Sequence, residues 1–538
     1  MTTYGIDLGT TNSCIAYIDR SGAVKVVRNA LSEETTPSVV YFEDRDNIVV
    51  GRAARNIARL KPEDVVDLVK RRMGEPGISF FFHGEQHTPE SVSALILREL
   101  AQSAAAETKE QVRDVVITVP AYFGVAEREA TRKAGHIAGL NVLNVIPEPV
   151  AAALHYQVLD ERDEQTIFVY DLGGGTFDTT VIRLTKDEIN VVCTDGDHKL
   201  GGTNWDEIVV EYLNDEFRGQ HSDLDPTGDE QLQQELYLVA EQLKKDLSTM
   251  RSRSYAMRYD GAGAEIVLDR ESFERRTAHL LESTFAITQR TLEVAAARGV
   301  DVHRFDAVLL VGGATRMPAV AQGLRDRFGF EPMSHDPDLA VAKGAALFSI
   351  IEMVRIHLPD GGAPSKEALD SAAQAAAEQM GTTPEAVMAI ATKRVTTVVP
   401  RAFGIRVRDH GSAVRYRIDH LLIANQELPA SSGPQEYMTV EHGQTAIAIE
   451  VFEQSGAIAS DEVQHNTPIG EGMITGLPRL PKGSPVRVTF DMDETGRLSV
   501  HAVELSTRRD VNFDLVIGLE DAAVEEARAA VARKTVSQ

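Results

Sequence analysis

Two short stretches, YGIDLGTTNS (Tyr4 to Ser13) and VYDLGGGTFD (Val169 to Asp178), share one grouping: an apolar run, an aspartate, a leucine, glycine, then small hydroxyl side chains. Glycine after a strand lets the backbone turn tightly and bares N–H groups to phosphate oxygens with no Cβ in the way. A carboxylate at the strand's end is then placed to hold a hydrated divalent cation. Asp7 with Gly9, Thr10 and Thr11 makes one such turn, and Asp171 with Gly173, Gly174, Gly175 and Thr176 makes the other. Each stretch alone reads also as an ordinary glycine turn beside an aspartate; together they suit a nucleoside triphosphate and magnesium. A third turn, LLVGGATRMP (Leu309 to Pro318), follows another apolar run and can accept a nucleotide's flat end. The common alternative nucleotide cradles, a P-loop ending in Gly-Lys-Ser/Thr and a strand-linked G-x-G-x-x-G, do not occur.

The elements around these turns alternate. Strand-like runs such as VVITVP (Val115 to Pro120), TIFVYD (Thr166 to Asp171) and DAVLLVGG (Asp306 to Gly313) are interleaved with helical patterns such as Pro89 to Glu107, the habit of an α/β fold. The chain also repeats itself weakly. Each Asp-Leu-Gly stretch is followed much later by a small-residue helix, EPVAAALHY (Glu148 to Tyr156) and DPDLAVAKGAALF (Asp336 to Phe348), as two related halves facing one cleft would require. Prolines and glycines in HLPDGGAPS (His357 to Ser365) mark a boundary. Two short helices are predicted next, one stopped by Gly381 and one opened by Thr383 and Pro384. From Val395 the texture becomes alternating strands between Gly, Pro and Asn turns, an all-β domain ending near Leu515. The expected division is 1–356, 357–394 as a helical linker or insert, 395–515, and 516–538 as a short helical tail.

With 538 residues, 43% hydrophobic and 25% charged, the chain has material for several packed cores. A net charge of −26 repels phosphate backbones and acidic membranes, which argues against nucleic acid as a partner. Two cysteines, Cys14 and Cys193, argue against a disulfide framework and a cysteine-ligated zinc site and fit a reducing cytoplasm. No signal-peptide pattern opens the chain, and no run approaches the ~20 apolar residues of a membrane span.

GIDLGTTNSC, VITVPAYF, DLGGGTFD and LVGGATRMP, in that order, resemble the seventy-kilodalton heat-shock chaperones, the DnaK-type family. The resemblance runs from Tyr4 to about Leu515 and implies an actin-like two-lobed ATPase followed by a β-sandwich that binds peptides. It implies ATP hydrolysis with magnesium, in which Lys70 positions the attacking water and Asp7, Glu148, Asp171, Thr176 and Asp178 orient metal and nucleophile. By the same resemblance Gly9, Thr10, Thr11, Asn12, Gly173, Gly174, Gly175, Gly201 and Gly202 surround the phosphates. Glu241, Lys244, Lys245, Ser248, Gly312, Gly313, Arg316 and Asp338 form the nucleoside pocket, and Pro120 with Arg128 relays nucleotide state between domains. In the β domain, Ile405, Val407, Tyr437, Ile447, Ile449 and Val451 match the apolar peptide channel. Implied partners are unfolded or extended apolar peptide, a nucleotide-exchange factor and a J-domain co-chaperone. By residue type alone, Lys70 also reads as one of a solvated basic cluster with Arg71 and Arg72, Glu148 as a helix first-turn carboxylate, Pro120 as a strand end and Arg128 as a solvated helix cation.

Four departures matter. VTTVVP (Val395 to Pro400), preceded by Ala-rich helices, replaces the family's leucine-rich acidic linker. The helical lid shrinks to one short helix. Arg408 and Val440 stand where small or apolar residues arch over the peptide, and an arginine there either admits acidic peptides or obstructs the channel. The segment between Lys70 and VITVP is short, and PEPVAAAL replaces Asn-Glu-Pro-Thr. Two other readings use the same residues: a nucleotide-gated protein with one dedicated partner, and a small-molecule kinase on the same scaffold, against which the β domain argues.

Overall fold

The first glycine turn follows a strand, Tyr4–Asp7, in which Tyr4, Gly5 and Ile6 are buried, as an apolar run flanked on both faces must be. The computed structural model describes residues 2–159, 164–334, 336–358, 365–409, 416–456, 459–515 and 518–538. The strand Tyr4–Asp7 runs antiparallel to Asn12–Ile18 and parallel to Asp114–Val119, which in turn runs parallel to Asn141–Pro147. Glu164–Leu172 repeats the scheme: it is antiparallel to Phe177–Thr185 and parallel to Ala307–Val311, which is parallel to Pro332–Ser334. The two halves suggested by the repeat thus have the same strand order.

The small-residue helices Glu148–Leu159 and Ala340–His357 cross where the halves meet. A Cβ on Gly344 would lie 1.8 Å from the Ala151 carbonyl oxygen, and one on Gly5 would lie 2.0 Å from the Ala346 nitrogen. Backbone touches backbone there, so only the smallest residues fit. Gly344→Ala is expected to destabilise the fold by about 1–3 kcal/mol, the usual cost of overpacking, seen as a lower urea midpoint; an unchanged midpoint would show that the crossing yields.

The helices predicted in the insert form as Lys366–Met380 and Pro384–Ala391, while residues 359–364 of the boundary stretch lie outside the described residues. They do not stand apart as a linker. Ala372, Ala373, Ala376 and Ala377 are buried in the same core as the crossing helices, which explains their alanine richness. Arg394–Thr396 then adds a parallel strand to the edge of the second half's sheet, beside Glu188–Asp197. The expected β domain therefore starts later than Val395; a β-branched run reads alike whichever sheet it joins.

The strands between Phe403 and Asp514 form two packed sheets with Ala430–Ser431 at the edge of one. One has the order Tyr416–Leu422, Phe403–Arg408, Ile447–Gln454, Asn466–Ile474; the other carries Gln435–Met438, Pro485–Met492, Leu498–Glu504 and Arg509–Asp514. Between them lie Phe403, Val451, Val488, Phe490 and Val500, all buried.

After Leu515 the chain returns to the first half. The helix Asp521–Arg533 packs Val524 and Val531 into that half's core, and the tail is more than helical: Thr535–Ser537 pairs in parallel with the strand Asn47–Val50. Lys534 is buried against Glu85 and the Arg45 carbonyl, and Gln538 accepts from the Ala30 amide. Among the described residues no helix is long and apolar enough to cross a membrane.

Candidate functional site

A cleft of about 1180 Å³ opens between the halves. Its walls include Asp7, Gly9, Thr10, Thr11 and Asn12 from the first half and Asp171, Gly173, Gly174, Thr176 and Gly202 from the second. The two turns meet across it. A Cβ on Gly174 would fall 2.4 Å from the Thr11 side chain, and one on Gly175 would fall 2.3 Å from that of Thr10. Glycine is needed at 174 and 175 to let the opposing threonines in, whereas a Cβ on Gly173 would meet nothing closer than 3.6 Å. Gly175, Gly201 and Asp178 stand behind the wall rather than on it.

Each turn is braced from outside. Ser13 accepts from the Gly9 amide at 3.1 Å, and Ser38 donates to the Gly9 carbonyl at 2.8 Å. The Gly202 and Thr203 amides, at the start of the helix Gly202–Gln220, donate to the Gly173 and Gly174 carbonyls at 2.9 and 2.8 Å. A helix N-terminus is thereby brought against the second turn, where its dipole favours an anion.

The charges at the floor are unbalanced. Lys70, on the short turn of helix Val69–Arg72, is only 4% exposed and donates to Glu148 Oε1 at 2.6 Å. Around this one ammonium stand Asp7, Glu148, Asp171 and Asp178. Burial and then Glu148 push Asp7 up to about 7 and Asp178 up to about 8, and the same causes hold Asp171 well above the usual carboxylate range. Burial works against the charge on Lys70, but Glu148 and Asp7 outweigh it and raise its pKa. The buried Oδ2 atoms of Asp171 and Asp178 have no hydrogen-bond partner. Such a site lacks positive charge, and a divalent cation would supply it. Among the described residues no three His, Cys, Asp or Glu close into a metal cage.

At the other end, Glu241, Lys244, Lys245 and Ser248 share one face of the helix Glu230–Thr249 and face Gly312, Gly313, Arg316 and Asp338 across the cleft. Gly312 has φ +83° and its Cβ would lie 2.4 Å from the Leu172 carbonyl oxygen, so the turn there requires glycine. Arg316 pairs with Asp338. Lys244 is occupied by Asp206 at 2.7 Å and the Gly202 carbonyl at 2.8 Å, which ties this helix to the second phosphate turn. Glu241 bridges to Arg55 of the first half and to Lys245.

Several residues were not singled out by sequence. Arg71 donates to the Gly175 carbonyl at 3.0 Å and to Asn204 at 2.9 Å, so one half clamps the other's turn. Thr118 donates to Asp7 at 3.2 Å, a contact set by the Asp7–Thr118 strand register. The Tyr122 amide donates to Asp178 Oδ1 at 3.0 Å. Arg71 looked like one of a cationic run, and no local pattern separates the inward member. Pro120 is buried, and Arg128, expected to be solvated on residue type alone, turns inward to the Phe123 carbonyl at 3.0 Å.

The β domain divides its candidate residues. Ile405, Ile449 and Val451 are buried in the sandwich core, while Val407, Tyr437 and Ile447 are partly exposed at its edge. Tyr437 donates to Asp419 at 2.8 Å and Arg408 pairs with Glu441 at 3.4 Å, next to residues 410–415, which lie outside the described residues.

A family model described as Hsp70 protein matches residues 3–76, 74–357 and 373–534. With duplicated halves around a cleft lined by the two glycine turns, a β-sandwich behind them and a match running over nearly the whole chain, this protein belongs to the Hsp70 family of nucleotide-binding chaperones.

Proposed function

We propose that this protein hydrolyses ATP in the actin-like cleft and couples nucleotide state to its grip on exposed apolar peptide in the β-sandwich, in the cytoplasm. The observation that carries this is the pair of phosphate turns meeting over the buried Lys70–Glu148 pair. Thr10, Thr11 and the backbone of Gly173 and Gly174 would hold the phosphates, with Lys245, Ser248, Gly313 and Arg316 around the nucleoside. Asp7 and Asp171 would hold magnesium through water, and the orphaned Asp171 oxygen fits that role. Bound magnesium supplies positive charge that neutralises the phosphate oxygens. Phosphoryl transfer asks mainly for positioning and charge neutralisation. Lys70 would orient the attacking water, Glu148 would hold Lys70, and Thr176 and Asp178 would hold the water's hydrogens. A J-domain protein and a nucleotide-exchange factor are the co-chaperones this reading implies.

The test is binding of a fluorescent apolar peptide to the full chain, first with ADP and then with ATP. Coupling of about 1–3 kcal/mol corresponds to a ratio of affinities of roughly 5- to 150-fold. Equal affinities would sink the coupling. No binding at high micromolar peptide would favour the second reading, a nucleotide-gated protein with one dedicated partner. Two observations support that alternative: half of the expected channel residues are core, and the C-terminal helix packs on the ATPase half instead of covering the sandwich.

A further inference from the structure

The outer sheet of the first half has the strand order Thr535–Ser537, Asn47–Val50, Val40–Phe42, Val65–Val66. Two of its strands lead straight to the cleft. Val65–Val66 runs on to the helical turn that carries Lys70. Val40–Phe42 is entered from Thr36–Pro37, which pairs with Asn12 and Ser13 at the first glycine turn, and the Ser38 amide between the two donates to the Thr11 carbonyl at 2.9 Å. The residues just before Thr36 form a loop that puts Glu33 and Thr35 on the cleft wall. Buried Asn29 shapes its base. The side-chain oxygen accepts from the Leu31 and Glu33 amides at 3.0 Å, and the side-chain nitrogen donates to the Thr35 carbonyl at 3.3 Å and the Thr36 hydroxyl at 3.2 Å. The loop is nonetheless strained: Ser32 holds φ +62°, a left-handed conformation that persists in a serine only where the surroundings fix it.

The tail supplies a fixture from outside. Thr535, Val536 and Ser537 sit opposite Asn47, Ile48 and Val49, the Thr535 amide donates to the Asp46 carbonyl at 2.8 Å, and Val536 is buried in the first half's core. A strand so held delivers the next residue to a set place. Gln538 Oε1 accepts from the Ala30 amide at 2.9 Å, and its Nε2 donates to the Thr36 hydroxyl at 3.4 Å. A carboxamide offers both an acceptor and donors, so one side chain ties residue 30 to residue 36 across the base of the loop, from 508 and 502 positions away.

We propose that Gln538 is a positioning residue for nucleotide binding: seated by the strand Thr535–Ser537, it holds the loop Asn29–Thr36 in the form that makes Glu33, Thr35 and the first glycine turn one wall of the cleft. This rests on the ATPase reading above, which puts the nucleotide against that wall. A protein whose binding-competent form is only part of the population binds in proportion to that part. Release of Ala30 and Thr36 lets Ser32 leave its strained conformation and lowers the competent share. Lys70 reaches the floor from the opposite edge of the sheet, so turnover of ATP once bound is expected to hold.

ADP affinity in the presence of magnesium, by isothermal titration, and kcat for ATP are measured on the full chain for wild type, Gln538→Ala and Gln538→Glu, and on a chain lacking residues 535–538. The ADP Kd is expected to rise about threefold in Gln538→Ala and about tenfold in the shortened chain, a fall of the competent share to roughly a tenth, with kcat within about twofold of wild type in both. Gln538→Glu, which keeps an acceptor for Ala30 and loses the donor to Thr36, is expected between wild type and Gln538→Ala. Hydrogen exchange at the Ala30 and Glu33 amides should quicken in Gln538→Ala while the helix Pro89–Thr108 keeps its protection. Unchanged ADP affinity in Gln538→Ala overturns the inference, and a lower thermal midpoint with affinity intact does the same, leaving the tail a purely structural staple. Wild type that binds neither ADP nor ATP would instead sink the ATPase reading, and this inference with it; wild-type binding therefore tells the two failures apart.

Discussion

Lys70→Ala is expected to lower kcat for ATP hydrolysis by about 100-fold, the scale on which a positioned catalytic group acts and equivalent to ~2.7 kcal/mol of barrier. The side chain is buried and bonded to Glu148 at 2.6 Å, with Asp7, Asp171 and Asp178 around it. Two effects compete in this variant. Removing one partner of a buried ion pair ordinarily costs about 3–5 kcal/mol of stability. Asp7 and Asp178, already raised to about 7 and about 8, can take up protons and relieve much of that repulsion. The catalytic loss is therefore expected in a chain that still folds, as judged by far-UV circular dichroism and an ATP Kd near that of wild type. Hydrolysis at the wild-type rate would remove Lys70 from the mechanism.

Gly201→Ala carries the second large effect. Gly201 is in an extended conformation open to any residue, so only space decides. A Cβ would lie 2.5 Å from the nitrogen and carbonyl carbon of Gly175, backbone atoms that cannot swing aside. The second phosphate turn must shift, and a displacement near 1 Å at a positioned site costs about 100-fold in kcat/KM. Gly173→Ala separates this protein-on-protein clash from contact with the nucleotide. Its Cβ would meet the Thr176 carbonyl oxygen at 3.6 Å, an ordinary contact. Its thermal midpoint should match wild type while ATP affinity falls about tenfold, because the only crowding left is with the phosphates. Steady-state ATP hydrolysis reads Gly201→Ala and isothermal titration with ATP reads Gly173→Ala, where full affinity would take the phosphates away from this turn.

The parts of the site readable from sequence were those whose cause is local. Asp-Leu-Gly after an apolar run announces a strand, its end and a bare turn, and both turns lie at strand ends. EPVAAALHY and DPDLAVAKGAALF read as small-residue helices of two related halves, though not that Gly344 would seat against Ala151. Arg71, Thr118 and Tyr122 were hidden, because each acts through a partner 56 to 133 positions away.

By itself the sequence determined two glycine turns beside strand-end aspartates and an alternating β domain, while the roles of Lys70 and of Glu241, Lys244, Lys245 and Ser248 were implied only by the family resemblance. Backbone conformation and side-chain period are properties of neighbouring residues, so they can be read along the chain. Only the tertiary structure decided that the two turns touch, that four carboxylates crowd one ammonium, that Arg394–Thr396 joins the second half's sheet, and that Thr535–Ser537 returns to the strand Asn47–Val50. Those outcomes turn on which surfaces close over one another. A three-residue strand has the same local preference at any free sheet edge, and only the packing of the whole chain selects the edge it takes.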